Sequence, residues 1–551
     1  MAGPSASAWG APDAAVAIVG FGPVGAVLAA LLGRRGVSTI VLERTTEPHD
    51  LPRATYFDRE IMRVFQAAGY AEKVEEIVVS NRRYLFKSVE DELLRAFDHI
   101  EGPTPWGTET GFNFFQPELE ALLREGADLP TTEIRLGVEV LAVEEEDDAV
   151  RLELSGEESL RVAWVVGCDG GASTVRRAAG IELEDLDFDE PWIVLDAFAD
   201  RDLGLPERDV VQRCDPARPS TYIPSVGRHR RWEFMLMPGE DPDERMSADG
   251  IDELLAGWGV GPGDVEVVRA AVFRFHALLA SPWRRGRIIL AGDAAHQMPP
   301  FFGQGMCSGI RDAANLAWKL ERVLAGASRP ELLDTYEEER SPHVRSIIEL
   351  STELGRIVCT TDPEVAAERD ARMRAEAAAE SSEGGHPDPL EFIPELRAGI
   401  LEASAAGGPA GKQFIQPFVR VPGQGPTLLD EAIGGGFRLI GLGRHPLRAV
   451  SPDVAAWWND CGSTAVVVDS TAEEPVPNDG SAVIDEDGFL RRWFTDADAD
   501  TVVVRPDNYV FGVASGPVAT ETLLADLWRR LLPPEGRPGA DRIALERTVS
   551  R

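Results

Sequence analysis

The sequence is poor in cysteine and lacks long apolar runs. Its five cysteines, at positions 168, 214, 307, 359 and 461, are scattered and include no Cys-x-x-Cys pair. This pattern excludes a disulfide framework and predicts reduced thiols. No apolar stretch reaches the roughly 20 residues of a membrane span, and residues 1–12 lack the basic-then-apolar layout of a signal peptide. We therefore expect a cytoplasmic protein without a membrane partner.

Basic residues are also scarce relative to acidic ones. With 55 Lys and Arg against 93 Asp and Glu, the formal net charge is −38 at pH 7. Such a field repels polyanions, so we expect neither nucleic acid nor an anionic membrane surface as a partner. An anionic substrate would need local positive potential. Arg213 is a candidate for that pairing, although it also fits an ordinary exposed strand arginine.

The amino end carries a dinucleotide-binding pattern. A predicted strand, Ala14–Val19, is followed by a Gly-x-Gly-x-x-Gly run, a predicted helix over 26–35 and a strand over 38–42. In this pattern Gly20 permits the tight turn, Gly22 lets pyrophosphate approach the backbone, and Gly25 lets the helix pack on the strand. Glu43 follows the second strand and is placed to accept a hydrogen bond from a ribose 2′-hydroxyl. An acid there fits an unphosphorylated ribose, as in FAD or NAD.

Two further strand-and-loop motifs follow downstream. The apolar run 287–291 predicts a buried strand that ends in Gly292-Asp293, and a glycine-rich loop then leads into an amphipathic helix. A strand end, a loop and a helix N-terminus together offer free backbone N–H groups to an anionic ligand. The strand Trp164–Cys168, followed by Asp169-Gly170-Gly171, has a similar layout.

These three motifs, in this order, make the chain resemble the class A flavoprotein monooxygenases, the family of FAD-dependent aromatic hydroxylases. Within that family, the runs 303–319 and 231–240 are most similar to 3-(3-hydroxyphenyl)propionate hydroxylases. The resemblance covers nearly the whole chain. It implies noncovalent FAD, NADH or NADPH as a transient reductant, and O2. It also implies oxygen transfer from a flavin C4a-hydroperoxide to a phenolic ring, with the protein supplying position and electrostatics.

The patterns and the resemblance together predict an α/β fold. A Rossmann-like FAD-binding domain takes residues 1–185 and 283–360, with an inserted antiparallel β-sheet substrate domain over 186–282. A helical connector over 361–411 leads to a C-terminal domain over 412–551, which by the resemblance is thioredoxin-like. Cys461 stands alone in that domain, and a single thiol cannot cycle as an intramolecular disulfide. We therefore expect a structural or oligomeric role there, with a homodimer left open.

The resemblance implies a set of cofactor contacts, some of which also have ordinary structural interpretations. The predicted contacts are Gly20, Gly22, Gly25, Glu43, Arg44, Arg53, Gln116, Asp169, Asp293, Pro299, Gly303, Gln304, Gly305 and Met306. Backbone N–H groups of 303–306 would stabilise negative charge on the reduced flavin, and Pro299 would pack beside its reactive face. Arg53 also fits a solvated loop arginine, Gln116 a helix cap, and Pro299 an ordinary turn proline.

A group that removes or polarises the phenolic proton is also required. Tyr222 and His276, both in the predicted substrate sheet, are the catalytic candidates beside Pro299, and each also fits a packed sheet residue. The chain departs from the propionate hydroxylase pattern at Phe301-Phe302 and around Phe273–His276, which we expect to line the pocket. A 3-hydroxyphenylpropionate-like acid and a larger aromatic natural product, such as a polyketide, stay open as substrates. A non-catalytic flavin-binding sensor or scaffold is the alternative, and no metal site is predicted.

Overall fold

The structure is a computed structural model that describes residues 12–48, 53–99, 104–383, 388–402, 407–469 and 482–531. Two units divide the chain. The first takes the described residues up to Asp98, then Gly111–Ala313 and those from Val344 to 383, and the second takes the remainder. Residues 1–11 and 532–551, at the ends of the predicted domains, lie outside the described residues, as do 384–387 and 403–406 of the predicted connector.

The strands are given in chain order. They are β1 (Ala14–Val19), β2 (Thr39–Glu43), β3 (Tyr56–Asp58), β4 (Val78–Ser80), β5 (Arg83–Lys87), β6 (Leu93–Asp98), β7 (Gly111–Phe114), β8 (Thr132–Leu136), β9 (Val140–Glu145), β10 (Val150–Leu154), β11 (Ser159–Gly167), β12 (Glu182–Ala199), β13 (Asp209–Arg213), β14 (Ser220–Pro224), β15 (His229–Met235), β16 (Val265–Ser281), β17 (Arg284–Arg285), β18 (Ile288–Leu290), β19 (His296–Gln297), β20 (Phe418–Arg420), β21 (Pro426–Leu428), β22 (Arg438–Leu442), β23 (Thr464–Val468), β24 (Ala482–Val483), β25 (Thr501–Val504) and β26 (Val510–Ala514).

The helices follow the same order. They are α1 (Pro23–Arg34), α2 (Arg59–Ala68), α3 (Ala71–Glu75), α4 (Gln116–Gly126), α5 (Thr174–Ala178), α6 (Pro242–Arg245), α7 (Ala248–Ala256), α8 (Gly305–Leu324), α9 (Asp334–Val358), α10 (Pro363–Glu383), α11 (Leu429–Ile433), α12 (Pro452–Asp460), α13 (Phe489–Asp496) and α14 (Pro517–Arg530).

A largely parallel sheet forms the nucleotide-binding part of the first unit. Its strands run in the order β17-β18-β11-β1-β2-β8, with β1 parallel to both β2 and β11, and β11 parallel to β18. Val16, Ile18 and Val41 are fully buried, as expected for central strands covered on both faces. The predicted strand–helix–strand unit is confirmed. Helix α1 begins at Pro23, earlier than expected, because proline suits the first turn of a helix.

A mostly antiparallel sheet, with the order β19-β16-β12-β15-β14-β13-β5-β6, lies in the same unit. The sequence predicts its strands within 186–282, but β5 and β6 come from residues 83–98. They join because β5 pairs in parallel with β13. Parallel pairing requires a long connection, so local periodicity does not reveal it. One face of this sheet packs with α7 in an apolar core that includes Leu195, Tyr222, Trp232 and Leu254.

The second unit contains an α/β domain. Its sheet order is β24-β23-β22-β25-β26, where β22 is parallel to β23 and antiparallel to β25. Trp458, Phe511 and Leu524 are buried in one of its apolar clusters. This arrangement is compatible with a thioredoxin-like domain, which stays a prediction in that detail.

Two features are absent from the described ranges. None of the helices there has the length and apolar content needed to cross a membrane. The same residues contain no group of three or more His, Cys, Asp or Glu side chains that could hold a metal ion.

Candidate active site

The turn after β1 is closed by backbone contacts at two of its glycines. Gly20 has a φ of +100°, and a Cβ on it would lie 2.4 Å from the Cys168 carbonyl oxygen. A Cβ on Gly25 would lie 2.1 Å from the Gly20 carbonyl oxygen, whereas a Cβ on Gly22 would meet no atom within 4 Å. Gly22 is the N-cap of α1. The turn is therefore tight on the protein side and open at a helix N-terminus, where phosphate binds.

Glu43 ends β2 beside this turn. Its Oε2 accepts a hydrogen bond from the Phe21 N–H at 2.8 Å, and its Oε1 accepts one from the Thr45 N–H at 2.9 Å. Burial raises the pKa of Glu43, but these hydrogen bonds and the nearby Arg124 bring that pKa below its ordinary value. The carboxylate is therefore ionised at neutral pH, and Oε2 retains a lone pair for a ribose hydroxyl.

Helix α8 connects the first motif with the Gly292–Ala294 turn. A Cβ on Gly309 would lie 2.5 Å from Val24 and 3.0 Å from the Gly292 Cα. Asp312, farther along the helix, accepts a hydrogen bond from the Gly292 N–H at 3.1 Å and is hydrogen-bonded to His296 Nε2 at 2.7 Å. Because Asp312 is fully buried, it fixes this turn from the protein side.

Asp169 and Asp293, two predicted cofactor contacts, have different surroundings. Asp169 Oδ2 accepts a hydrogen bond from the Thr174 N–H at 2.7 Å, so its carboxylate caps α5. Arg176 of that helix donates to the Ala294 carbonyl oxygen at 3.0 Å. Asp293 is exposed and makes no hydrogen bond to any described residue. Of the two carboxylates, Asp293 is the one free to bind a ligand.

The loop before α8 turns sharply. Pro299 is buried and precedes the 3-10 turn Pro300–Phe302. Gly303 follows with a φ of +65°, in the left-handed region that favours glycine. Helix α8 then begins at Gly305, with Met306 half-buried. The first N–H groups of a helix lack acceptors within it, so this loop ends at a positive dipole end.

A buried ionic network fixes that loop. The Gln304 side chain donates to Asp58 Oδ2 at 3.1 Å and accepts a hydrogen bond from Arg311 at 2.8 Å. Arg311 also pairs with Asp58 and with Glu60, each at 2.6 Å. Both oxygens of Asp58 are used, because Oδ1 caps α2 through the Glu60 N–H at 3.0 Å. The Gln304 side chain therefore orients the loop from within the protein.

A row of hydrogen-bonded polar side chains crosses one face of the antiparallel sheet. The Thr221 hydroxyl donates to Gln212 Oε1 at 2.6 Å, and Gln212 Nε2 donates to the Tyr84 hydroxyl oxygen at 2.5 Å. The Tyr84 hydroxyl donates to the Phe301 carbonyl oxygen at 2.8 Å. Each bond fixes the direction of the next, so the row holds the loop before α8 on the sheet.

Phe301 contacts side chains from widely separated strands of the sheet. The Phe301 ring centroid lies 5.4 Å from that of Trp192 and 6.0 Å from that of Phe275. Trp192 on β12 and Tyr84 on β5 are four strand spacings apart in the sheet order, which is roughly 19 Å on a flat sheet. Because one residue contacts side chains of both strands, we infer that this face of the sheet forms a concave surface here. Strands β15, β14 and β13 form the floor of this concave surface.

Glu233 lies on that floor. It pairs directly with Thr221 of β14 and with Val194 of β12, and directly paired residues share a sheet face. Its side chain is only 9% exposed and lies 4.0 Å from Arg231 Nη1. Burial raises the pKa of Glu233 to about 7, which Arg231 opposes and Asp196 reinforces. The floor thus contains a carboxyl group that titrates near neutral pH.

Two arginines of the same face are already paired. Arg231 Nε lies 2.8 Å from Asp196 Oδ1, and Arg269 Nη2 lies 2.5 Å from Asp196 Oδ2. Burial opposes ionisation of Asp196, but Arg231 and His229 hold its pKa well below the usual range. Arg231 also donates a hydrogen bond to the Arg53 carbonyl oxygen. The positive charge of this part of the floor is therefore shared with a buried carboxylate.

Comparisons with known proteins agree with these features. Residues 13–351 match a family model described as FAD binding domain, and residues 411–528 match one described as HcaD C-terminal domain. Over 95% of its length, the chain is 40% identical to a probable NADH-specific resorcinol 4-hydroxylase of Rhodococcus jostii (strain RHA1), of which it covers 96%. Over 97% of its length, it is 35% identical to a 3-(3-hydroxy-phenyl)propionate/3-hydroxycinnamic acid hydroxylase of Mycobacterium sp. (strain JLS), of which it covers 95%. The chain belongs to the FAD-dependent aromatic hydroxylases.

The hydroxylase shares its fold with the flavin-dependent monooxygenase PieE, which was solved in complex with FAD and substrate. The TM-score is 0.78 at 21% identity, with 95% of this chain and 100% of PieE covered. The predicted family, the α/β fold class, the enzymatic activity and the FAD cofactor with its NAD(P)H reductant are all confirmed. The residues also fit FAD, because Gly22 is open at a helix N-terminus and the exposed Asp293 is free to accept hydrogen bonds.

Three other predicted FAD contacts of the hydroxylase are Arg44, Arg53 and Gln116. Arg44 and Arg53 are exposed. Gln116 is buried at the start of α4, whose N-cap is Phe115, so it is not the cap that the alternative interpretation expected. Its Nε2 donates to Glu120, while its Oε1 has no hydrogen-bond partner among the described residues. A buried acceptor of this kind fits a ligand donor.

The structure does not bring the two predicted base candidates to the concave surface. Tyr222 lies on the other face of the sheet, with ring centroids 5.4 Å from Trp232 and 5.8 Å from Trp258. His276 follows Phe275 in β16, and successive side chains of a strand point to opposite faces. Its Nδ1 lies 3.6 Å from Asp189. Since neither side chain lies on the sheet face that contacts Phe301, we propose neither as the base.

Sequence reasoning missed several residues of this site. Tyr84 and Gln212 carried no motif, and Arg124, which donates to the Phe21 carbonyl oxygen at 3.0 Å, stood in an ordinary helical pattern. Asp312 and Glu233 lay within the runs most similar to the propionate hydroxylases, so the resemblance contained a hint of them. Their roles depend on burial, which the sequence pattern did not reveal.

Replacing Asp293 by alanine is expected to weaken FAD binding by at least about tenfold. A hydrogen bond to a charged group contributes roughly 1.5–3 kcal/mol, and about 1.4 kcal/mol is one decade in affinity. The measurement is a titration of apoprotein with FAD. Asp249→Ala, an exposed aspartate of α7, should keep wild-type affinity. Retention of wild-type affinity by Asp293→Ala would place Asp293 outside the site.

Proposed function

We propose that the hydroxylase adds one oxygen atom to a small, uncharged phenol with a second substituent meta to the hydroxyl group, of the resorcinol type. The observation that carries this proposal is that Phe301 contacts both Trp192 and Phe275, an aromatic wall, and the row of polar side chains on the floor. FAD, when bound, supplies the reaction with O2 that provides the oxygen atom. We infer NADH as the reductant from the Rhodococcus jostii relative alone.

In this proposal the aromatic wall contacts the substrate ring, and the polar floor orients the polar end of the substrate. Trp192, Phe275 and Phe301 present ring faces and edges to an aromatic substrate, and such contacts add to the burial of apolar area. Thr221 and Gln212 orient the polar end of the substrate. Tyr84 keeps the loop before α8 on the sheet, so that the substrate ring is held in position and water is excluded.

The charges favour an uncharged phenol over a carboxylate substrate. Arg231 and Arg269 are paired with Asp196. Arg213 donates to the Gly257 carbonyl oxygen at 2.6 Å and stacks 3.9 Å from the Trp258 ring centroid, both on the side of α7. The pairing of Arg213 with a substrate carboxylate, considered from the sequence, is therefore not proposed. A propionate group would also face the negative charge of Glu233.

The packing of Phe301 favours one of the two substrate classes that the sequence left open. Phe301 packs against Trp192, Phe275 and Phe188, with the Phe188 centroid 5.9 Å away. These four aromatic rings occupy space on the concave surface beside the loop. A single phenolic ring is accommodated there more readily than a polycyclic natural product, so we do not propose a polyketide substrate.

Resorcinol is expected to stimulate NADH oxidation strongly over the slow rate of the enzyme alone. The product should carry one oxygen atom from ¹⁸O2, ortho to one hydroxyl and para to the other, because phenolic oxygens donate electron density to those positions. The measurement is NADH consumption with mass spectrometry of the product. 3-(3-Hydroxyphenyl)propionate and a polycyclic phenol serve as comparison substrates. NADH oxidation that gives only hydrogen peroxide with every phenol would overturn the proposed function.

A further inference from the structure

Glu233 differs from the other buried carboxylates of the first unit. Asp58 and Asp196 each bind an arginine at 2.5–2.8 Å, and Asp312 accepts a backbone N–H. The Glu233 oxygens make no hydrogen bond to any described residue, and Arg231 is 4.0 Å away. A buried carboxylate without donors is costly to a fold. Its position on the concave floor therefore suggests a donor that arrives with the substrate.

The charged and polar groups near Glu233 lie on its own strand and on four other strands of the sheet. Arg231 lies on its own strand, and Asp196 and Arg269 lie on β12 and β16. Thr221 on β14 is uncharged. Tyr84 on β5 is close enough that the Glu233 charge helps raise its pKa, although burial is the larger cause. The Tyr84 hydroxyl already donates its hydrogen to the Phe301 carbonyl oxygen, so Tyr84 does not donate to Glu233.

We propose that Glu233 accepts the proton of the phenolic hydroxyl group of the substrate, an inference that rests on the proposed function. The O–H bond breaks, its electron pair stays on the phenolic oxygen, and the proton moves to a carboxylate oxygen of Glu233. The electron-rich ring carbon then takes a hydroxyl group, formally as OH⁺, from the oxygen donor that FAD and O2 would supply, and the electron pair of the broken O–O bond stays with that donor. That carbon loses its hydrogen as a proton to water, and Glu233 returns its proton to the substrate oxygen, which restores the aromatic ring.

Burial suits Glu233 to this task. A pKa raised to about 7 leaves a substantial ionised fraction at neutral pH and makes the carboxylate a stronger proton acceptor than an exposed one. The raised pKa that favours proton transfer lowers the stability of the folded protein at higher pH. Because the folded pKa lies above the ordinary 4.5, the folded state loses stability relative to the unfolded state as pH rises from about 4.5 to about 7. Glutamine at this position avoids that loss.

The test compares Glu233→Gln with wild type as FAD holoenzymes on resorcinol. We expect kcat to fall by about 100-fold or more, while the dissociation constant of resorcinol, read from flavin absorbance without NADH, changes by less than about threefold. The wild-type kcat/KM should rise with pH through about 7, and this limb should be absent in the variant. The melting temperature of Glu233→Gln at pH 8 should equal or exceed that of wild type.

Two further variants complete the design. Glu266→Gln makes the same chemical change at an exposed position of β16 and should match wild type. Glu233→Asp keeps a carboxylate and should recover part of the lost turnover and the pH limb. A Glu233→Gln enzyme with wild-type kcat, or a wild-type profile without a limb near pH 7, overturns this inference and leaves the proposed function standing. A wild type that hydroxylates no phenol overturns both.

Discussion

Replacing Gly22 by valine is expected to give a folded, colourless protein whose affinity for FAD is lower by more than about a thousandfold. Gly22 has a φ of −72° and a ψ of −175°, an extended conformation that valine adopts readily. A Cβ there meets no protein atom within 4 Å, so the fold should be unaffected. The branched side chain would instead occupy the space through which pyrophosphate approaches α1, where several charge-assisted hydrogen bonds of about 1.5–3 kcal/mol each are lost.

Two glycine variants make this result specific. Gly425→Val also introduces a side chain where a Cβ meets nothing within 4 Å, and it should bind FAD like wild type. Gly25→Val places a Cβ 2.1 Å from the Gly20 carbonyl oxygen, so it should lower the melting temperature as well as FAD binding. The measurements are FAD absorbance after purification and calorimetry of the apoproteins. A yellow Gly22→Val protein would show that pyrophosphate does not bind at this turn.

Replacing Glu339 by glutamine is expected to destabilise the second unit by about 3–5 kcal/mol, as breaking a buried ion pair does. Glu339 Oε2 lies 2.8 Å from Lys319 Nζ and 2.6 Å from Arg505 Nη2, and all three side chains are fully buried. Asp507 forms an ion pair with Arg505, at 2.6 Å, but not with Lys319. Loss of the Glu339 charge would therefore leave Lys319 without its ion-pair partner in a site that excludes water.

The pH dependence of stability offers an independent check on Glu339. Burial raises its pKa, but Arg505 and Lys319 together lower it to about 2. The folded pKa is below the ordinary 4.5, so the stabilisation is complete above about pH 4.5 and is lost as pH falls toward 2. The loss is about 3 kcal/mol. Calorimetry should show this loss in wild type and in the exposed control Glu338→Gln, but not in Glu339→Gln. A Glu339→Gln protein as stable as wild type would contradict the prediction.

The motifs of the FAD site could be predicted because they describe backbone geometry. A glycine run between a strand and a helix commonly binds a dinucleotide. The backbone at Gly20 makes the tight turn that this spacing predicts. The identity of the side-chain ligands was less predictable. Asp169 has the right position in its motif, but its carboxylate caps α5, and a motif cannot show which hydrogen bonds a side chain has already made.

The candidate base was also not predictable from the sequence pattern. Tyr222 and His276 lie in the predicted sheet, yet both point away from Phe301. Glu233 lies on the strand next to that of Tyr222, on the sheet face that contacts Phe301. A strand pattern has a period of two, which separates two faces without saying which one meets the cofactor. A one-residue difference therefore decides whether a side chain is part of the core or of the site.

The sequence by itself determined a dinucleotide site and the α/β architecture, because glycine spacing and apolar periodicity constrain the backbone locally. The family and the choice of FAD came from the resemblance that its three ordered motifs carry. Only the tertiary structure decided how the substrate surface is built. Strand β5 joins β13 across more than a hundred residues of chain. Trp192 and Tyr84, four strand spacings apart, contact the same loop residue, and Glu233 is buried on that face without a hydrogen-bond donor among the described residues. The pKa and partners of a side chain depend on which distant strands enclose it, and that enclosure exists only after the chain has folded.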